Sequence, residues 1–205
     1  MPAGNLHESA LVQDHAIYNC QNTWRGYTIW KNPLDLFMYA EIVHETRPTL
    51  IIETGTYTGG SSLYWADMLK LNLIDGHVLT TDINPMPNLP VDERITYMNL
   101  SSSSQEFFAI AHERAKGQKV LVNLDSYHDY ENVRAELEAL HSLVSPDSYL
   151  IVEDGVGDLL YDHRGPLQAT RDFLREHHEF RVDRSRERLE ITNCVEGYLY
   201  HASGK

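Results

Sequence analysis

The chain has 205 residues, of which 42% are hydrophobic and 23% are charged, and this composition is typical of one folded globular domain. A formal net charge of −13 argues against binding to nucleic-acid phosphates, which requires clustered lysine and arginine. The 2 cysteines form neither a disulfide framework nor a short-range metal motif, and no apolar run is long enough to predict a membrane span. Because the first residues also lack a signal-peptide pattern, we expect a cytoplasmic protein.

An N-terminal arm precedes the main domain. Residues 1–32 are polar with scattered aromatic side chains, and we expect an arm or short helices that pack on the core. Apolar residues at helical spacing begin at Pro33 and predict a helix that Pro48 ends. We therefore predict an arm of residues 1–45, which contributes to an acceptor site, and a main domain of residues 46–205. Four aromatic residues could line that site or anchor the arm, namely Trp24, Tyr27, Trp30 and Tyr161.

Strands then alternate with helices. The predicted parallel strands are residues 49–54, 77–82, 94–100, 119–125 and 148–154. The predicted helices between and after them are residues 61–72, 104–116, 129–144 and 165–178. Residues 180–183 and 196–202 are predicted to close the sheet as an antiparallel pair. This alternation predicts a mostly parallel, seven-stranded α/β sheet, and the ligands of such sheets bind at the carboxyl ends of the strands.

The first strand ends in a glycine turn, ETGTYTGGS from residue 53. It resembles a dinucleotide-binding turn, but Tyr57 replaces the glycine that lets the backbone approach a pyrophosphate, and Glu53 repels phosphate. A phosphate-free adenosine ligand with a cationic part, S-adenosylmethionine, fits better. Ser61 or Ser62 at the helix N-terminus could bind its carboxylate, and Asp82 at the end of the second strand could bind its ribose. The alternative is a tight turn with a capping serine. The residues predicted to bind the cofactor are Glu53, Gly55, Thr56, Tyr57, Gly59, Ser61, Asp82, Ser102 and Asp125.

Carboxylates also end the fourth and fifth strands. Asp125, Glu153 and Asp154 are expected to lie close together, and three carboxylates in one cleft need a cation. Oxygen ligands suit Mg²⁺, while Mn²⁺ and Ca²⁺ remain alternatives. His128 would lie beside this metal site and could take a proton from a substrate hydroxyl. The competing interpretations are turn or capping residues for the acids and a packing residue for the histidine.

Several segments together resemble the cephalosporin hydroxylase family. They are TWRG from residue 23, KNPLDL from 31, the glycine turn, DSYH from 125, VSPDSYLIVED from 144, GP from 165 and EITNCVEGYL from 190. The resemblance covers about residues 22–200, and the family is similar to sugar and macrolide O-methyltransferases that need Mg²⁺. It implies a Rossmann-like class I methyltransferase fold with helices on both faces of the sheet. It also implies that Asp125, Glu153 and Asp154 bind the metal and that His128 is the general base.

The expected function is an S-adenosylmethionine- and Mg²⁺-dependent O-methyltransferase. Its acceptor would be a hydroxyl of a small natural product or of a sugar moiety, in secondary-metabolite or antibiotic biosynthesis. Two alternatives stay open: a non-catalytic S-adenosylmethionine-binding partner of another enzyme, and a component of a β-lactam hydroxylase, as the family name suggests. The identity of the main second metal ligand, either Glu153 or Asp154, also stays open. So does the assembly of a homo-oligomer. A lid formed by residues 155–165, with His163 and Arg164, is a further possibility.

Overall fold

The computed structural model describes residues 22–161 and 164–203. Residues 1–21 of the predicted arm, which include Cys20, and His163 therefore lie outside the described residues. Residues 22–32 contain an antiparallel hairpin of β1 (Thr23–Trp24) and β2 (Tyr27–Thr28), and not short helices. The reason is its two-residue turn, in which Arg25 has φ 50° and Gly26 has φ 88°, a backbone that reverses the chain and cannot continue a helix.

One large sheet forms the centre of the molecule. Its strands are β3 (Leu50–Thr54), β4 (His77–Thr81), β5 (Ile95–Met98), β6 (Val120–Leu124), β7 (Ser148–Val152), β8 (Phe180–Val182) and β9 (Tyr198–His201). The helices are α1 (Pro33–Thr46), α2 (Gly60–Leu71), α3 (Gln105–Ala115), α4 (Tyr130–Leu140), α5 (Val156–Leu160) and α6 (Pro166–Glu176). Short 3₁₀ segments cover His141–Leu143 and Arg184–Glu187. None of these helices has the length and apolar character needed to span a bilayer.

The strand order is β5-β4-β3-β6-β7-β9-β8. The first five strands pair in parallel, and β9 lies antiparallel between β7 and β8. The chain runs from β3 outward to β5 and then returns to β6 on the other side of β3. This reversal opens a crevice at the carboxyl ends of β3 and β6, which is where ligands bind in sheets of this kind. The predicted fold, with its antiparallel final strand, is confirmed.

The core lies on both faces of the sheet. Successive side chains of β3 alternate, so Ile51 packs with Tyr39 of α1 and Trp65 of α2, whereas Ile52 packs on the opposite side. The opposite side is covered by α3, α4 and α6, and Phe173 is buried there. Helix α1 thus packs into the same core as the sheet, while the predicted division between residues 1–45 and 46–205 stays a prediction.

Local capping explains where two helices near the site begin. Asn32 Oδ1 accepts a hydrogen bond from the Leu34 N–H 2.9 Å away, and Pro33 occupies the first turn of α1. Asp129 caps α4, since its carboxylate accepts a hydrogen bond from the Asn132 N–H at 2.7 Å. These caps fix the chain directly after Lys31 and directly before α4.

Candidate active site

A cavity of about 490 Å³ lies at the carboxyl ends of the parallel strands. Its volume falls within the range of small-molecule binding sites. The predicted site residues that line it are Gly55, Tyr57, Asp82, Ser102, Asp125, His128 and Asp154. The carboxyl ends of the strands therefore bring five of the nine expected cofactor residues and two of the three expected metal residues to one cavity.

Five predicted site residues do not line this cavity, namely Glu53, Thr56, Gly59, Ser61 and Glu153. Glu53 is fully buried beneath the turn, where its Oε2 accepts hydrogen bonds from the hydroxyls of Ser62 and Thr80. Burial raises the pKa of Glu53, and the opposing effect of the Lys31 charge is smaller. Glu53 thus supports the turn from below, and its role in cofactor binding stays a prediction.

The glycines of the turn are required by close packing inside the fold. A Cβ on Gly55, whose φ is +87°, would lie 1.8 Å from the main-chain oxygen of Asp125. A Cβ on Gly60 would lie 2.1 Å from the main-chain oxygen of Thr28. These glycines therefore let neighbouring main chain approach the turn. Gly55 also faces the cavity, and its predicted role in cofactor binding stays a prediction.

The end of β4 holds the expected ribose-binding acid at the cavity. Asp82 Oδ2 accepts a hydrogen bond from the Tyr57 N–H at 2.7 Å, and its Oδ1 accepts from the Asn84 N–H at 2.8 Å. The ring of Trp30 packs on that of Tyr57 with centroids 4.5 Å apart. One carboxylate and two aromatic rings therefore form this side of the cavity wall, where the sequence predicts the nucleoside.

The four aromatic residues that were predicted to line an acceptor site or to anchor the arm lie in different places. Trp24 anchors the hairpin, since its Nε1–H donates to Asp67 Oδ2 at 2.9 Å, and Tyr27 packs against the core. Trp30 instead lines the cavity and is 44% exposed. Tyr161 is exposed and does not line the cavity. Trp24 and Tyr27 thus anchor the hairpin, whereas an acceptor site lined by Trp30 or Tyr161 stays a prediction.

Asp125, His128 and Asp154 form a group of potential metal ligands. Their ligand atoms lie within 4.8 Å of one another. His128 Nε2 lies 3.2 Å from Asp154 Oδ2 and 3.4 Å from Asp125 Oδ1, but it makes no hydrogen bond of good geometry with the described residues. Burial lowers the pKa of His128, but the two carboxylates outweigh this effect and raise it to about 9. Three polar atoms therefore converge on one point without satisfying one another, which is an arrangement that fits a cation.

Glu153 is not a member of this group, and it pairs with a residue that sequence reasoning missed. Lys31 is only 3% exposed, and its Nζ lies 2.6 Å from Glu153 Oε1 and also contacts Asp125 Oδ2. Asn123 Nδ2 donates to the same Glu153 oxygen at 2.8 Å. Burial, together with the charge of Asp125, raises the pKa of Glu153 to about 8, while Lys31 opposes the shift. The expected metal role of Glu153 stays a prediction, and the geometry favours Asp154 as the second ligand.

Asn193 is a second missed residue at the site. Its Nδ2 donates to Asp154 Oδ1 at 3.2 Å, and it lines the cavity. Asp35 of α1 holds it, since Asp35 Oδ2 accepts from the Asn193 N–H at 2.8 Å and Oδ1 accepts from the Tyr198 hydroxyl at 2.7 Å. Burial raises the pKa of Asp35 to about 6. In the sequence, Asp35 and Asn193 belong to the KNPLDL and EITNCVEGYL segments. These segments supported the family resemblance but assigned no role to either side chain.

The loop predicted to act as a lid contains α5. Asp158 Oδ2 accepts hydrogen bonds from the N–H groups of Gly165 at 2.9 Å and Gln168 at 3.0 Å. Arg164 lies over the ring of Tyr130, 3.7 Å from its centroid. These contacts tie the described part of the loop to α4 and α6, and closure over an acceptor stays a prediction.

A second group of metal-type side chains lies outside the cavity. It consists of Glu138, His141 and His177. The guanidinium of Arg134 lies 2.8 Å from Glu138 Oε1, and His141 Nδ1 lies 3.0 Å from the main-chain oxygen of Glu138. Because a cationic side chain already pairs with its carboxylate, this group is a polar surface cluster joining α4 and α6.

Known proteins resemble this chain over most of its length. The sequence profile of the Rhamnosyl O-methyltransferase/CmcI family matches residues 16–202. The rhamnosyl O-methyltransferase of Mycobacterium tuberculosis is 32% identical over 190 residues, which are 87% of this chain and 78% of that protein. The Mycobacterium leprae protein of the same name is 31% identical over 188 residues, which are 86% of this chain and 82% of that protein.

Solved structures agree with the fold. A CmcI structure with Mg and SAM aligns with a TM-score of 0.70 and 21% identity, over 89% of this chain and 77% of that chain. The MycE methyltransferase of mycinamycin biosynthesis, in complex with Mg, SAH and mycinamycin VI, aligns with a TM-score of 0.53 and 18% identity, over 82% of this chain and 44% of that chain. They confirm the class I methyltransferase fold. Because the family profile covers nearly the whole chain, the chain belongs to the Rhamnosyl O-methyltransferase/CmcI family, which confirms both the expected resemblance and the expected class of enzyme, an O-methyltransferase.

Proposed function

We propose that the chain is an S-adenosylmethionine- and Mg²⁺-dependent O-methyltransferase that acts on a hydroxyl of a sugar moiety or of another small natural product. One observation carries the proposal: Gly55 and Asp82 on one side, and Asp125, His128 and Asp154 on the other, line the same cavity. The names of the relatives support a sugar acceptor, and Mg with SAM or SAH in the CmcI and MycE structures supports the cofactors.

The turn side of the cavity suits the nucleoside of S-adenosylmethionine. The Asp82 carboxylate is held by two main-chain N–H groups and can accept hydrogen bonds from ribose hydroxyls. Gly55 presents main chain to the cavity, while Trp30 and Tyr57 offer aromatic surface beside it. The acidic character of this wall disfavours phosphate and suits a cationic, phosphate-free cofactor.

The strand ends on the other side suit a divalent cation. Asp125 Oδ1 and Asp154 Oδ2 would hold it, since both face His128 Nε2 and both are hard oxygen ligands. A bound Mg²⁺ supplies charge that lowers the pKa of an acceptor hydroxyl. Water and the acceptor would complete its coordination, which is usual for Mg²⁺.

His128 is the proposed general base. Its pKa of about 9 means that it is protonated at neutral pH as long as no metal cation neutralises the two carboxylates. Neutralising Asp125 and Asp154 removes the main causes of that raised pKa and so favours the neutral imidazole that a base needs. We expect His128→Ala to lower turnover by about 10²- to 10⁴-fold while S-adenosylmethionine binding, measured by calorimetry, persists.

The test is methyl transfer to a panel of acceptors. The protein is incubated with methyl-labelled S-adenosylmethionine and with rhamnosides and other hydroxylated metabolites, once with Mg²⁺ and once with a chelator. We expect a labelled methyl ether only when Mg²⁺ is present. Equal transfer in the chelator would exclude the metal mechanism, and tight cofactor binding without any product would favour the non-catalytic partner.

A β-lactam hydroxylase receives no support from the site. An iron oxygenase of the two-histidine, one-carboxylate kind needs a second histidine. Of the described residues that line the cavity, His128 is the only histidine. The cytoplasmic location, the role in antibiotic or other secondary-metabolite biosynthesis and the homo-oligomer belong to the proposal as predictions.

A further inference from the structure

Asp154, a proposed metal ligand, has a left-handed backbone with φ 57°. Few non-glycine residues adopt a positive φ, although aspartate does so more readily than most. Such a conformation persists where the surrounding contacts determine it, and it occurs often at functional sites. The direction in which the Asp154 carboxylate points therefore depends on the contacts that hold this backbone.

The side chain of Asn193 holds one oxygen of that carboxylate. Asn193 Nδ2 donates a hydrogen bond to Asp154 Oδ1 at 3.2 Å. The other oxygen, Asp154 Oδ2, faces His128 Nε2 at 3.2 Å. Asn193 thus anchors one oxygen of Asp154 and leaves the second one directed at the group of potential metal ligands.

The segment that carries Asn193 also lies along the main chain on both sides of Asp154. Before Asp154, the Val152 N–H donates to the main-chain oxygen of Gly197 at 2.9 Å. After it, the Val156 N–H donates to the main-chain oxygen of Asn193 at 3.2 Å. The same segment therefore contacts the carboxylate of Asp154 and fixes the chain that adopts the left-handed conformation.

Asn193 is itself held by the buried carboxylate of Asp35 on α1, which is 2% exposed. Asp35 Oδ2 accepts from the Asn193 N–H at 2.8 Å. Asp35 Oδ1 accepts from the hydroxyls of Thr192 at 2.5 Å and Tyr198 at 2.7 Å. Three donors from one segment satisfy this buried acid, so the side chain of Asn193 extends from main chain that α1 keeps in place.

We propose that Asn193 is a positioning residue of the metal centre, which orients Asp154 through Oδ1 and stabilises its left-handed backbone, and that Asp35 acts on Asp154 through Asn193. The inference rests on the proposed metal-dependent function. Polar groups behind metal ligands commonly orient them in this way. Asn193 needs no contact with the cation, and it acts through the carboxylate that it holds.

A double-mutant cycle separates positioning from direct contact with the cation. Its members are wild type, Asn193→Ala, Asp154→Asn and the double variant. Tyr198→Phe is the matched control, because it removes one hydrogen bond to Asp35 and leaves the one from Asn193. The alanine variant keeps both main-chain hydrogen bonds of Asn193, so we expect it to fold.

Mn²⁺, which prefers similar oxygen ligands, is the probe. Its affinity for each protein without S-adenosylmethionine is measured by the loss of the EPR signal of free Mn²⁺. Thermal unfolding in a chelator is measured on the same proteins, as are kcat and the KM for S-adenosylmethionine.

We expect Asn193→Ala to bind Mn²⁺ about 10- to 100-fold more weakly than wild type, because Asp154 has lost its anchor. Its kcat should fall, while its KM for S-adenosylmethionine changes little. In the Asp154→Asn background, the same substitution should change Mn²⁺ affinity by about twofold or less, since the carboxylate through which Asn193 acts is already absent. Tyr198→Phe should lower the unfolding temperature and keep the wild-type Mn²⁺ affinity.

Three results would overturn the inference while leaving the proposed function intact. Wild-type Mn²⁺ affinity and kcat in Asn193→Ala would make Asn193 a structural residue only. Losses of affinity that add in the double variant would show that Asn193 acts on the cation independently of Asp154. An equal loss in Tyr198→Phe would indicate a general loosening of the segment. If wild-type protein binds no Mn²⁺, the metal centre itself fails and the inference fails with it.

Discussion

His128 shows at the scale of one residue how the site couples charge to chemistry. It lies between Asp125 and Asp154, and their carboxylates hold its pKa at about 9, above its usual value of 6.5. An imidazole in this state is a proton donor and an ion-pair partner. The same side chain becomes a base when the carboxylate charges are neutralised, so the residue connects metal binding to proton transfer.

The raised pKa of His128 predicts a pH dependence of stability in the chelated protein. Because its folded pKa exceeds its unfolded one, the stabilisation by the imidazolium is fully present below pH 6.5 and is lost as the pH rises through about 9. The difference in unfolding free energy between wild type and His128→Gln should therefore shrink across this window. Urea unfolding in chelator at several pH values measures it, and a constant difference would contradict the assigned pKa.

Lys31 and Asn193 mark the limit of residue-level prediction. The acids of the site lie at the ends of predicted strands, and His128 follows shortly after one of them. Their meeting in one crevice could therefore be predicted from the sequence. Lys31 lies 94 residues before Asp125 and 122 before Glu153, and no local pattern links them. Such contacts depend on how α1 packs on the sheet, and only the folded chain brings them together.

At the scale of elements, the turn between β3 and α2 joins the two halves of the cavity. Gly55 of the glycine turn lies against the main chain of Asp125, which is the first proposed metal ligand. The turn and this ligand are therefore in direct contact. We therefore expect a substitution at Gly55 to shift the main chain of Asp125.

Replacing Gly55 tests this contact. Gly55→Ala should destabilise the fold by about 4 kcal/mol or more, since the new Cβ meets backbone that cannot move aside. Gly117→Ala is a matched control, because Gly117 also has positive φ, +73°, but a methyl group added there would meet nothing within 4 Å. We expect the control to cost about 1 kcal/mol from backbone strain alone. Equal losses in denaturant unfolding would show that the contact with Asp125 carries no energy.

Helix α4 presents a buried acid to the underside of the site. Glu136 contacts the hydroxyls of Ser126 and Thr54 and is fully buried. Burial raises its pKa from 4.5 to about 7, and the hydrogen bonds from neighbouring side chains only partly oppose the shift. The stability associated with the protonated acid is therefore present below pH 4.5 and is lost as the pH rises through about 7.

Glu136→Gln should remove this pH dependence. The neutral amide does not ionise, so the variant should be more stable than wild type by about 1–3 kcal/mol at about pH 8. Below about pH 4.5 the two proteins should differ little, because wild-type Glu136 is then protonated in both the folded and unfolded states. Unfolding free energies at both pH values provide the measurement, and a variant that is less stable at high pH would contradict the prediction.

The elements themselves were largely predictable. Alternating apolar runs and helical periodicities gave every strand of the large sheet and its long helices to within a few residues, because buried strands and amphipathic helices leave strong patterns. The hairpin of Thr23–Trp24 and Tyr27–Thr28 was missed, since two-residue strands leave no periodicity. The 3₁₀ segment His141–Leu143 was included in the predicted helix, because it follows α4 directly and one turn is too short for its spacing to differ from that of an α-helix.

At the scale of the whole molecule, the sheet order determines what the site can do. After β5 the chain crosses back to form β6 on the other side of β3, so the order of strand addition changes there. The ends of β3 and β4 therefore bring the glycine turn and Asp82 to one side of the crevice. The ends of β6 and β7 bring Asp125 and Asp154 to the other side. Residues far apart in sequence thus become the two walls of one cavity, one suited to a nucleoside and the other to a cation.

The central claim is that these walls serve separable steps of a single reaction, and Asp154→Ala tests it most directly. Methyl transfer is measured with Mg²⁺ present and with the variant saturated with S-adenosylmethionine, as verified by calorimetry. We predict cofactor affinity close to that of wild type and transfer reduced by about 100-fold or more, because the cation loses a carboxylate ligand. Transfer at the wild-type rate would contradict the account.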